Sequence, residues 1–191
     1  MNNKEKKRKA HLITLVLIAV YLSLLETLIP KPFPWMKIGL ANLSTLIALI
    51  NFDRKMAFEV FVMRVLAQNI MLGTLLSPSF VISFGAGLLS TLFMILLFTY
   101  KKYFSIIAIS VASGILHNIM QLIIVYTLLF RGIDIYTRSV MLFLLIFLIM
   151  GALSGGVIGF IAYRYVEKKE KFGGLSNGKK IFWNRWNKRG S

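Results

Sequence analysis

The stretch Glu26–Leu49, ETLIPKPFPWMKIGLANLSTLIAL, decides how the chain is read. An apolar run ends in a carboxylate, Glu26. Three closely spaced prolines follow (Pro30, Pro32, Pro34), then Trp35 and Lys37, and the sequence is apolar again within a few residues. Proline has no amide hydrogen and restricts the residue before it, so a helix does not run unbroken through this segment. A lipid-facing helix has no need of such a break. The segment reads as a connector at a membrane face, with chemistry at its rim.

On either side of the connector lie long apolar blocks. The 191 residues are 57% hydrophobic, with a mean hydropathy of +0.73. The blocks neither alternate nor stop at the roughly ten residues typical of outer-membrane strands. The fold class expected is therefore an all-α, polytopic membrane protein. Cysteine is absent, which excludes disulfides, thiolate metal sites and cysteine nucleophiles.

Six spans fit, at about 11–30, 38–52, 55–76, 79–99, 103–130 and 139–165. They form a single membrane domain over 11–166, between a basic N-tail (1–10) and a basic C-tail (167–191). The second span is short for a crossing of about 20 residues unless the connector dips into the membrane. The N-terminus resembles a signal peptide, with basic residues from Lys4 to Lys9 before an apolar run. That run, Leu12–Ile29, is long for such a leader and lacks a small-x-small cleavage site, so it reads as an uncleaved first span.

The formal net charge is +16. Its distribution argues against nucleic acid, because the basic residues sit at the two ends and in short loops, as topology and anionic lipid dictate. The N-tail, the 51–55 turn, the 100–103 turn and the C-terminal stretch from Arg164 to Arg189 together hold 18 Lys and Arg, and the opposite loops hold 4. The positive-inside rule then puts both termini on the cytoplasmic side of the membrane. The C-tail also carries Phe182, Trp183 and Trp186. It reads either as an interfacial helix on an anionic leaflet or as a disordered basic tail.

An ionisable group inside a span is costly and needs a partner or a task. Candidates are Glu26 in the first span, Asn42 in the second, Glu59, Arg64, Gln68 and Asn69 in the third, and His117, Asn118 and Gln121 in the fifth. Arg64 and Gln68 share a helix face, as do His117 and Gln121. With the orientation above, this set gathers between the midplane and the outer face, and Glu59 alone lies near the cytoplasmic end. Arg64 reads equally as an ion-pair partner of Glu26 or as a recognition group for an anion or polar ring. His117 reads as a helix–helix hydrogen bonder or as a ligand group.

Small residues mark close helix contacts. Gly151, Gly155 and Gly159 form a GxxxGxxxG ladder in the sixth span. Gly85, Gly87, Ser110, Ser113 and Gly114 suggest similar contacts. Ala19 and Ser23 form a weaker version in the first span, serving an internal neighbour or a partner subunit. There is no P-loop, no Asp-rich Mg²⁺ cluster, no HExxH and no GxSxG, so no catalysis, cofactor or metal is expected.

PWMKIGLANLSTLIAL at 34–49, the span containing Arg64, and GILHNIMQ at 114–121 resemble a bacterial family labelled both "heptaprenyl diphosphate synthase component I" and "Gx transporter". The resemblance covers about 11–165. That family is similar to the substrate-binding S components of energy-coupling-factor (ECF) transporters. The likeness implies six helices, cytoplasmic termini, an outward pocket under the first loop, and coupling and ATPase subunits as partners. It implies Lys37, Asn42, Arg64, His117, Asn118 and Gln121 as pocket residues, to which Glu26, Gln68 and Trp35 are added from the reading of the residues. Ala19 and Ser23 would stand where S components dock their coupling subunit. The ligand expected is a flavin or an isoprenoid- or quinone-related metabolite. Two alternatives stand: a non-catalytic membrane subunit of heptaprenyl diphosphate or menaquinone synthesis, partnered by a prenyltransferase, and a membrane anchor for a redox protein of extracellular electron transfer.

Overall fold

A computed structural model describes residues 3–30, 39–129 and 138–171. Among them the chain is all helical, with α1 (Asn3–Leu28), α2 (Asn42–Asn51), α3 (Arg54–Met71), α4 (Pro78–Thr99), α5 (Ile106–Leu129) and α6 (Arg138–Lys171). These match the six expected blocks in order. Four of the helices (α1, α4, α5 and α6) are long and apolar enough to cross a membrane.

The boundaries differ from the sequence expectation where local chemistry intervenes. The basic N-terminal segment is continuous with α1, which begins at Asn3. Helix α3 stops at Met71, short of the expected 76. Its end is a complete Schellman turn: Gly73 sits at φ +65° and donates to Ile70 O at 3.1 Å, while Thr74 N donates to Asn69 O at 2.9 Å. Asn69 braces this turn, accepting from Thr74 Oγ1 at 2.9 Å and donating to Val65 O at 2.7 Å. Helix α4 starts on a Ser77 cap with Pro78 in the first turn. Helix α6 continues past the expected 165 to Lys171.

Helix α2 has 10 residues. At a rise of 1.5 Å per residue it is about 15 Å long, roughly half the hydrocarbon thickness of a bilayer. Its N-terminus therefore opens inside the bundle. Asn42, Ser44, Thr45, Leu46, Ala48, Leu49 and Asn51 are all buried, so α2 is enclosed on nearly every side.

Polarity is distributed inside out, as lipid requires. On α3 the side chains of Phe58, Met63, Leu66 and Ile70 face outward, while Arg64, Gln68 and Asn69 are buried. Exposed Leu, Ile and Met residues likewise cover the outer faces of α1, α4 and α6.

The helices form two halves. Helices α1, α2 and α3 pack on one another, and α5 packs extensively on both α4 and α6; the contacts between the halves (α3 with α4, α2 with α6 and α4) are fewer. The α5–α6 contact is built by the glycine ladder. A Cβ at Gly155 would lie 2.7 Å from Ser110 O and 2.8 Å from Val111 Cα, and one at Gly159 would lie 2.8 Å from Ile107 Cα. Gly151 and Gly114 face each other in the same way. Backbones approach this closely only where there is no side chain between them. Gly85 and Gly87 admit Ile124 and Phe61.

Both ends of the described chain meet at one end of the bundle. Arg8 of α1 pairs with Glu59 of α3 at 2.8 Å. The His11 ring lies 5.2 Å from that of Phe52 in the α2–α3 turn. Lys169 of α6 donates to Asn51 Oδ1 at 3.1 Å, bridging the two halves. Most of the basic residues among those described lie toward this end.

Candidate ligand-binding cavity

The inward start of α2 creates unsatisfied backbone amides inside the bundle. Glu26, near the end of α1, answers them: its carboxylate accepts from Gly39 N at 3.0 Å and from Leu40 N at 3.2 Å. Gly39 adopts φ +90°, a conformation that L side chains rarely take, and a Cβ there would approach Asn42 Nδ2 to 3.3 Å. Gly39→Ala is therefore expected to release Glu26 from the α2 turn. It should lower the thermal midpoint in detergent by several degrees, whereas Gly73→Ala, with open space around its Cβ, should lower it less.

Next to this turn stands Arg64 of α3, 7% exposed. Its Nη2 donates to Asn42 Oδ1 at 3.2 Å. Its Nε has no partner among the described residues. Glu26 lies within electrostatic range of it, and its face packs over the Phe61 ring at 5.6 Å. Arg64 keeps its charge in nearly any surroundings, so the half-helix and the carboxylate are what make its burial tolerable.

These groups line one cavity. Ser23, Glu26 and Thr27 come from α1, Asn42 from α2, and Arg64 and Gln68 from α3. The second half contributes Ser83 of α4 and His117 of α5. The cavity thus lies on the seam between the halves. The volume open to the centre of a water molecule is about 20 Å³, room for one or two waters.

His117 is held by its own half. Ser90 Oγ donates to Gly87 O at 3.1 Å, so it accepts from His117 Nδ1 at 3.2 Å. That puts the ring proton on Nδ1 and leaves Nε2 to accept from Gln121 Nε2 at 2.7 Å. Gln121 Oε1 then has no partner among the described residues. The histidine therefore serves both as a helix–helix hydrogen bonder and as part of the cavity wall.

The sequence-derived set is thus divided. Glu26, Asn42, Arg64, Gln68 and His117 come together around the cavity. Gln121 supports His117 from behind. Asn118 faces away: its Nδ2 donates to Phe147 O of α6 at 2.6 Å and fills the space beside Gly151. Lys37 and Trp35 lie outside the described residues. Ala19 is wholly buried and Ser23 nearly so, so their face of α1 meets internal neighbours. Gly151, Gly155 and Gly159 pack on α5. Sequence reasoning missed Gly39, Thr27, Ser83 and Ser90. The signal for the last two was present in α4, where Ser83, Gly87 and Ser90 recur at helical spacing in an otherwise apolar helix.

No group of three or more potential metal-ligating His, Cys, Asp or Glu side chains forms among the described residues. No curated protein and no solved structure matches the chain. The sequence profile of one family does, over residues 15–165, which is most of the chain. With its apolar helices and inside-out polarity, this membrane protein belongs to the heptaprenyl diphosphate synthase component I family.

Proposed function

We propose that the chain is the ligand-binding membrane subunit of a transport system, similar to S components, with partner subunits of the energy-coupling-factor type supplying energy. It takes a small polar molecule from the outer side into the cavity between its two halves. The basic end, with both termini, faces the cytoplasm. The chain itself catalyses no reaction.

The observation that supports this reading is Arg64, a buried guanidinium that lines a cavity with Nε unpartnered among the described residues. Such a group is kept inside a membrane helix at a cost, and recognition of a ligand accounts for that cost. Glu26 lines the same cavity and cancels the formal charge of Arg64. A neutral, carbonyl-bearing molecule therefore fits better than a polyanion. A flavin or quinone-type ring offers such acceptors, whereas a diphosphate would face the Glu26 carboxylate. Arg64 and Gln68 would donate to the carbonyls, and Asn42 and His117 would set the orientation.

A ligand of that size occupies several hundred Å³, so the halves must part to admit it. They would do so at the end away from the Lys169–Asn51 bridge, which ties the halves together at the basic end. With Ala19 buried, a coupling subunit would dock elsewhere, on surfaces such as the exposed face of α1 with Ile13, Leu17 and Tyr21.

A second reading draws on the family's name: a non-catalytic membrane subunit of heptaprenyl diphosphate synthesis. Gentle purification followed by native mass spectrometry separates the two. The expected result is a small-molecule adduct on the wild type that falls at least tenfold on Arg64→Met. Equal retention by Arg64→Met would remove the cavity assignment. Co-purification with a soluble prenyltransferase, with a gain in product formation and no adduct, would favour the second reading.

A further inference from the structure

A separate cleft opens at the basic end, where the α2–α3 turn meets the end of α4. Its volume is about 400 Å³, against about 20 Å³ for the cavity above. Arg54, Lys55 and Lys101 line it, coming from the start of α3 and the turn after α4, far apart in sequence. Leu49, Phe52 and Phe98 supply an apolar wall. Asp53 is the acidic residue in the lining, and its Oδ1 is engaged by Met56 N at 2.6 Å as the cap of α3. The lining therefore carries a surplus of two positive charges.

Topology alone explains cations at this end of a membrane protein, but not this arrangement. Residues that only mark the cytoplasmic side can spread into water. Here three of them face one concave space. Lys101 is partly buried, with its Nζ 5.3 Å from the centre of the Phe98 ring. Burial, and then the nearby Arg54 guanidinium, push its ammonium below the usual lysine range. Each of these features is relieved by an anion in the cleft. The apolar wall beside the cations, at the level where α2 and α4 end, suits a head group that carries chains.

We propose that the cleft formed by Arg54, Lys55 and Lys101 beside Leu49, Phe52 and Phe98 is a binding site for the phosphate head of an anionic phospholipid. The cations hold the phosphate, and the first carbons of the chains lie along the Leu49–Phe52–Phe98 wall. This site is independent of the seam cavity and stands whether or not that cavity binds a ligand.

The test uses the full chain in nanodiscs of phosphatidylcholine with a minority of phosphatidylglycerol, and counts lipids retained on release into a native mass spectrometer. Arg54→Gln/Lys55→Gln/Lys101→Gln is compared with the wild type. A second triple variant, Lys6→Gln/Lys7→Gln/Lys168→Gln, removes the same charge from exposed positions toward the same end. Phosphatidylglycerol affinity is expected to fall about fivefold for each cleft charge removed. It should stay near the wild-type value in the exposed-charge variant, with phosphatidylcholine retention equal in all three. An equal fall in both variants would show diffuse surface attraction and overturn the proposal. So would unchanged retention in the cleft variant. Inorganic phosphate that competes at the same concentration as phosphatidylglycerol would reduce the site to a free-phosphate site and also overturn it. Equal thermal midpoints in phosphatidylcholine alone would show that the cleft variant is folded.

Discussion

Gly155→Ala should lower the thermal midpoint of the detergent-solubilised protein by about 5–10 °C, while Gly156→Ala, one residue along, should raise it by about 2–4 °C. The two substitutions are chemically identical, and each adds one methyl to α6. At Gly155 that methyl would lie 2.7 Å from Ser110 O and 2.8 Å from Val111 Cα, both backbone atoms that cannot rotate away. Helices α5 and α6 would have to separate by several tenths of an ångström along the ladder. Overpacking of this kind costs about 1–3 kcal/mol. At Gly156 the nearest atom is Val111 Cγ2 at 3.9 Å, an ordinary contact. There the better helix propensity of alanine, about 1 kcal/mol, acts unopposed. Lipid does not drive these helices together, because it is as apolar as their surfaces, so close backbone contact carries much of the association. Equal midpoints for the two variants would show that α5–α6 packing does not depend on the ladder.

That ladder was legible in the sequence because small residues at i, i+4 and i+8 have one common cause. The apolar blocks were legible for the same reason: a long run without charge is what a lipid interior demands and what a water-facing surface does not tolerate. Depth was less legible. Arg64, Gln68 and Asn69 are all buried on α3, yet Arg64 and Gln68 reach the cavity and Asn69 is spent on closing the α3 end. The difference is made by Gly73, whose positive φ ends the helix before 76. His117 and Asn118 are adjacent and point about 100° apart around α5, so one meets α4 and the seam and the other meets α6. A sequence block such as HNxxQ gives residue types but not which neighbour each side chain meets. The connector's importance was readable from its prolines. The role of Gly39 was not, because its φ of +90° follows from the half-length of α2 and from the amides that Glu26 must reach.

The balance between Arg64 and Glu26 is open to a direct measurement. Arg64→Met should destabilise the protein by about 3–5 kcal/mol, because it leaves a buried carboxylate without its counter-charge. Asn42 also loses the donor to its Oδ1. Glu26→Gln should cost a comparable amount, since it removes that charge and weakens the hold on Gly39 and Leu40. The double variant Arg64→Met/Glu26→Gln should be more stable than the sum of the two losses predicts, by about 2 kcal/mol or more, because neither charge is then left alone. This separates the two roles available to Arg64. If it is only a counter-ion for Glu26, the double variant recovers both stability and any small-molecule adduct seen on the wild type. If its free Nε recognises a ligand, the double variant recovers stability and still binds nothing. The second outcome is expected, because Glu26 is already served by two amides, whereas Nε of the cavity-lining Arg64 has no hydrogen-bond partner among the described residues. Arg64→Lys sharpens the comparison. It keeps the charge that Glu26 sees but loses the planar fork. Stability should therefore stay within about 2 kcal/mol of the wild type, while adduct retention falls nearly as far as it does in Arg64→Met.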